Sequence, residues 1–409
     1  MSKRSSKKRI SLKSIPKKSL IKAAAIVLAI IIVLSVAAYK LGNYSPLGLG
    51  RGLSNIGDSM MGNNGFPFDI SSNDVIHMGM SYSDVVVLND TGVKVIDSSG
   101  RQISDFQHNY SSPLIYTYGT HSLIIGAGEN KFKVQTSGKT IYEMETDFDL
   151  LTGDISKNGC VAVASKSDQG ASMLNVYDSK KNEVFSWICA KNLIVSVDIS
   201  NNGRYVAVGV IGADSGDIIS EVYLFDINYS DPVRHIQLPG TAVAAVEILS
   251  GKKLLIIGDN FVSFVNEKGK RNDIDVSLNT VSRFFISENN TAAIVFSKYS
   301  SAYTNILKIY SSSGKEISSS DIDFIIKDMS FDGKHIALLS DGKLYCYDLY
   351  GRISGEKTID NDAERCCING SNAYVLFSNG IKKYSVRGNS DERVTQSEIE
   401  KIDGEVIKK

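Results

Sequence analysis

The sequence predicts an all-β chain: a β-propeller of eight four-stranded blades, with seven the alternative count, preceded by one N-terminal transmembrane helix. Three observations carry this reading. A twenty-residue apolar run lies near the start, two interlocking repeats recur about every 41 residues, and no convincing helical pattern interrupts residues 66–387.

The first 19 residues form a basic tail, and residues 20–39 read LIKAAAIVLAIIIVLSVAAY with Lys22 as their one charge. Twenty residues at about 1.5 Å each match a bilayer core of about 30 Å. Nine Lys/Arg fall between Lys3 and Lys22, and the first acid of the chain is Asp58. The positive-inside rule then expects the N-terminus in the cytoplasm and the remainder outside. Ser35-Val36-Ala37 would also suit a cleaved secretory signal, which differs only in leaving the exported part untethered. Residues 40–65, rich in Gly, read as a flexible linker.

Charge and cysteine content exclude several classes. Outside residues 1–22, 36 Lys/Arg face 45 acids, so the body carries about −9 and no nucleic-acid surface is expected. Five cysteines without C-x-x-C spacing specify neither a disulfide framework nor a metal site. Cys346 and Cys366 sit in apolar strand-like runs and read as small buried hydrophobes, while the neighbours Cys366 and Cys367 should point to opposite strand faces.

The first repeat is D-[IM]-S-x-[ND]-G, opening at Asp154, Asp198 and Asp328, and each copy precedes an apolar strand: CVAVAS, RYVAVGV and KHIALLS. Weaker copies begin at Val246 and Phe285. The second is an alternating strand that closes in a turn, with Asp97, Thr136, Asp178, Asp226, Asn266, Ser311, Asp348 and Ser385 opening the eight turns. Val, Ile, Tyr and Phe at period two mark strands, and Gly after Asn, Asp or Ser supplies the positive φ of tight hairpins. Each unit then holds an inner strand such as LLTGDI, two middle strands, and an outer strand such as EVFSWI. The last unit, ending at residue 387, lacks a fourth strand, so Phe66–Ile70 is expected to pair with it and close the ring. Residues 388–409 form a polar tail in which Thr395 and Glu398 have capping-box spacing.

The hexads and their following strands resemble WD40-like and quinoprotein-like β-propellers across residues 66–387, although the Gly-His and Trp-Asp dipeptides of the WD40 pattern are absent. The complete layout is similar to single-pass envelope proteins of Gram-positive bacteria, a resemblance that implies a propeller outside the cytoplasmic membrane and transfers no site residue.

No catalytic motif is present, and neither a cofactor nor a metal is expected. The hexads lack the closing acid of a calcium loop, so their Asp and Ser are expected to bond amides within the hairpin. Acidic groups at Asp147, Asp149, Asp154, Asp214, Asp217, Asp321 and Asp323 read as solvated faces, and the five dispersed histidines as surface or turn residues. Residues 209–220 and 298–305 lengthen their blades, which makes Asp214, Asp217, Tyr299 and Tyr303 the candidate binding-loop residues. The expected function is a binding or scaffold module for an envelope protein or polymer, tethered to the lipid bilayer of a bacterial cytoplasmic membrane through residues 20–39. The alternatives are an extracytoplasmic propeller enzyme, quinoprotein-like or polysaccharide-active, and a signal-sensing ectodomain.

Overall fold

The computed structural model describes residues 65–386 apart from 138, 277, 278, 299 and 300. Among them no helix is long and apolar enough to cross a membrane. The apolar run 20–39, most of the Gly-rich segment and the C-terminal tail lie outside the described residues.

Eight antiparallel four-stranded sheets follow one another, each a meander in chain order except the last. Blades 1 to 7 span residues 75–107, 113–145, 150–189, 193–239, 243–275, 279–322 and 328–358. Blade 8 takes three strands from the end, Arg365–Asn369, Asn372–Phe377 and Gly380–Ser385, and its fourth from Phe68–Asp69. Phe68 pairs with Ile381 and Asp69 with Gly380, so the expected closure of the ring by the N-terminal segment is what the structure shows. Phe66 adds a ring contact to Tyr374 at 5.2 Å.

The core is divided among the seams. Eight clusters of buried apolar side chains lie one between each neighbouring pair of blades, including the pair formed by blades 8 and 1. This explains the two kinds of strand in the sequence. Second strands such as Val161–Ser165 are covered on both faces by adjoining blades and are buried throughout, so they read as unbroken apolar runs. Outer strands such as Glu183–Cys189 alternate, because one face meets water. Cys366 and Cys367 fall in different seams, 7–8 and 8–1, and all five cysteines are free.

The turns follow local chemistry. In the third turn of a blade, Asp97, Asp178, Asn266 and Asp348 each accept backbone N–H groups two and four residues ahead. In the hexads the Gly sits at positive φ, as at Gly159, Gly203 and Gly333, and the Ser hydroxyl stays in the hairpin, as where Ser200 accepts the Tyr205 amide at 2.8 Å.

Candidate functional site

Because every blade begins at the axis and runs outward in the same sense, its features sort onto a channel wall and two faces. First strands line the channel. The turn after the first strand and the turn after the third lie on one face, and the hairpin between the second and third strands lies on the other.

The leading Asp of each hexad behaves differently from expectation. Asp154 accepts the Ile199 amide of blade 4 at 3.0 Å, Asp198 accepts the Ile248 amide of blade 5, and Asp328 accepts the Cys366 amide of blade 8 at 2.8 Å. These carboxylates bond the inner strand of the next blade, not their own hairpin. Edge amides of neighbouring inner strands face the channel without a ladder partner, and a short carboxylate one strand away is the group that reaches them. Ser196 and Ser330 make the same kind of bond, to Val246 at 3.0 Å and Ile368 at 3.1 Å.

The channel wall is electrostatically divided. On blades 3 to 5 the carboxyls of Asp154, Asp198 and Glu247 are near enough to act on one another's charge. All three are part-buried and keep some surface toward the channel. Burial first, and the Asp198 charge second, push Asp154 well above the ordinary carboxylate range. Burial and Asp198 do the same to Glu247, and burial raises Asp198 against the pull of Asp154 and two backbone amides. Asp154 is therefore a wall residue tied to the next blade, not a member of a solvated acidic face. Its equivalence to Asp198 in the repeat was the sequence signal for this placement.

Cationic groups occupy the remaining arc. Arg283 donates to the Lys327 carbonyl at 3.0 Å, linking blades 6 and 7, and the charges of Arg283 and Arg365 act on Asp328. His77, on the first strand of blade 1, is depressed by burial and by Arg365. On the hexad face, Lys157 of blade 3 meets Glu288 of blade 6 at 3.8 Å across the channel mouth. Tyr118 below it is pushed up to about 12 by burial and then by Glu288, with smaller contributions from Asp198 and Asp154.

Among the histidines His108 departs from a surface role, whereas His235 is exposed as expected. His108 is buried, accepting the Tyr110 amide on Nδ1 at 3.0 Å and leaving Nε2 to donate to the Asn89 carbonyl at 2.9 Å. His235 stacks on Tyr223 with centroids 4.4 Å apart and pairs with Glu221 at 2.9 Å.

The candidate loop residues lie on the face opposite the hexads. Residues 209–220 are a strand extension, not an open loop: Tyr205–Asp214 and Asp217–Asp226 pair without a break as far as Asp214 and Asp217. Ser215 and Gly216 both have positive φ, the geometry of a two-residue hairpin turn. Asp217 is exposed and Ile218 is 49 % exposed. On blade 6, Tyr303 is 62 % exposed near the start of Ser301–Tyr310, and Tyr299 lies outside the described residues. The two hairpins thus share a face, separated by blade 5, whose corresponding strands stop at Gly258 and resume at Phe261.

Fold and wall define an eight-bladed β-propeller of the kind found in WD40 domains. The C-terminal WD40 domain of Sif2 superposes with a TM-score of 0.55 at 12 % identity, over 80 % of this chain and 100 % of that one. BamB from Moraxella catarrhalis does so with a TM-score of 0.50 at 11 % identity, over 77 % of this chain and 97 % of that one. At such identities the likeness is one of fold. No curated protein matches the sequence. The chain belongs to DUF5711, a family of unknown function whose model matches residues 69–384.

Proposed function

We propose that this protein is a binding or scaffold propeller, tethered to the bacterial cytoplasmic membrane by residues 20–39 and displayed outside it, whose partner is an envelope protein or polymer. The observation that carries the binding reading is the rim of the face opposite the hexads. There the extended hairpin of blade 4 and the lengthened third strand of blade 6 present Asp217, Ile218 and Tyr303 to solvent from a rigid closed ring. The fold it shares with WD40 domains supports a binding role, and the basic tail before the apolar run supports the orientation.

Photo-crosslinking in cells tests both parts. A photoreactive residue at Ile218 or Tyr303 of the full-length protein should give a discrete high-mass adduct, whereas one at Tyr82, exposed on the hexad face, should not. Protease added outside spheroplasts should remove the propeller. Adducts from Tyr82 alone would overturn the assigned face, and a protease-resistant propeller would overturn the topology.

A further inference from the structure

The geometry points to a lysine-binding cleft on blade 2: Tyr110, Glu129 and Glu143 converge as acceptors for the primary ammonium of a lysine side chain presented by a partner protein. The cleft has a volume of about 490 Å³ and lies between the linker 108–112, the hairpin around Glu129 and the end of the outer strand. By the meander of the blade all three are on the face opposite the hexads. The cleft goes beyond the rim hairpins of blades 4 and 6, and it stands whether or not they bind a partner.

Local bonds fix the shape of the linker. His108 is held through both ring nitrogens, Asn109 takes a positive φ of 59°, and the Tyr110 ring stacks on His108 with centroids 5.4 Å apart. Tyr110 is thereby only 8 % exposed, and among the described residues its hydroxyl has no hydrogen-bond partner. A buried hydroxyl left in that state costs free energy, and a ligand that pairs with it removes the cost. Gly126 forms the floor: a Cβ there would meet Tyr110 Cδ1 and the carboxyl carbon of Glu129, each at 3.2 Å. Ring and carboxyl therefore meet over one glycine. Glu129 accepts the Ser111 amide on Oε1 at 2.6 Å, which ties hairpin to linker and leaves Oε2 for a ligand. Burial, and then the charges of Glu143 and Glu129, push the Tyr110 phenol up to about 12, so it remains a neutral hydroxyl among these carboxylates.

Charge selects the ligand. Glu129, Glu143 and Glu145 line the cleft against one lysine, Lys131, so it is anionic. Lys131 is turned to Glu145 at 2.8 Å and Lys133 to Glu143 at 2.5 Å, each directly opposite across the strand pair, and among the described residues Glu129 has no cationic partner. Anions are repelled here, and no group of three or more His, Cys, Asp or Glu able to hold a metal occurs among the described residues. An alkylammonium has three N–H donors and no acceptor. The Tyr110 hydroxyl, Glu129 Oε2 and the second carboxylate oxygen of Glu143 are acceptors for those donors. Met144 and Phe132 add apolar wall that suits a methylene stem, whereas the ring hydroxyls of an amino sugar would meet it without partners.

Saturation-transfer NMR of the full-length protein with Nα-acetyl-lysine methylamide as the probe tests the cleft. The probe should bind saturably. Its Nε-trimethyl analogue keeps the charge and the stem but has no N–H donor, and should bind about tenfold more weakly. Glu129→Gln should weaken the lysine probe about tenfold and Tyr110→Phe about fivefold. Tyr110→Phe should leave the melting temperature unchanged, because the hydroxyl it removes has no partner in the fold, so lost binding cannot be ascribed to lost structure. No saturable signal, equal binding of the trimethyl analogue, tighter binding of glucosamine, or unchanged affinity in Glu129→Gln would overturn the proposal. If Glu129→Gln does not fold, the trimethyl comparison and Tyr110→Phe still decide it.

Discussion

The blade 3–5 seams and the blade 7–8 seam begin from the same hexad, and burial raises the leading carboxyl in both, but the charges around it differ. In both, the leading Asp crosses to the next blade's inner strand. The 7–8 seam is fastened by two further bonds: Ser330 accepts the Ile368 amide, and Asp332 accepts the Gly370 amide at 2.7 Å while also accepting from Lys334 and His335 in its own turn. Burial works against the charge of Asp332, but the His335 contact and these amides outweigh it and hold its carboxyl below the ordinary range. Around Asp154 and Asp198 the nearest charges are further acids, and burial wins. One motif thus specifies one turn, while the groups that face it from other blades set the charges around its carboxylates.

Substitutions should separate the two regions, beginning with the largest effect. Asp332→Ala strands the Gly370 and His335 amides and should lower unfolding stability by about 3 kcal/mol, measured by denaturant titration. A loss below about 1 kcal/mol would mean that water replaces the carboxylate. Isosteric amides should act with opposite signs. At pH 8, Asp332→Asn should cost about 1–2 kcal/mol, because a favoured charge is lost, and Asp198→Asn should gain about 1 kcal/mol, because a disfavoured one is removed. Two losses of equal size would erase the contrast between the seams.

The pH dependence should have two limbs. Carboxyls raised in the folded state, those of blades 3–5 and Asp328 of blade 7, bind protons more tightly than in the unfolded chain, so stability falls as pH rises above the ordinary carboxylate range. Carboxyls lowered in the folded state, such as Asp332 and the turn residue Asp97, contribute stability that is lost as pH falls below that range. Thermal melts across pH should show both limbs in the wild type, and Glu247→Gln should flatten only the alkaline one. The smallest effect is expected at the channel mouth. Lys157→Ala removes an exposed contact to Glu288 and should change stability by less than about 0.5 kcal/mol, and a larger change would show that the mouth is held by that pair.

Much of the scaffold was legible because its determinants are local. Alternation and unbroken apolar runs separated outer strands from second strands, Asp and Asn at the third turns announced their own amide bonds, and the missing fourth strand of the last unit pointed to Phe66–Ile70. The candidate site was less legible. Residues 209–220 looked like a loop because Gly209, Gly212 and Gly216 fall within a short span, yet the ladder continues through the first two, and only Gly216 serves the turn.

Strand pattern, turn chemistry and the number of repeating units are properties of short stretches, and the amino-acid sequence by itself determined them through side-chain alternation and the positive φ that Gly, Asn or Ser accepts. The meeting of Asp154, Asp198 and Glu247, each roughly one blade apart along the chain, is different. Only closure around a common axis brings equivalent positions of successive blades side by side, and Coulomb interaction and desolvation depend on that distance through space. The tertiary structure therefore decided which of the repeated carboxylates stand beside further acids and which stand beside arginine.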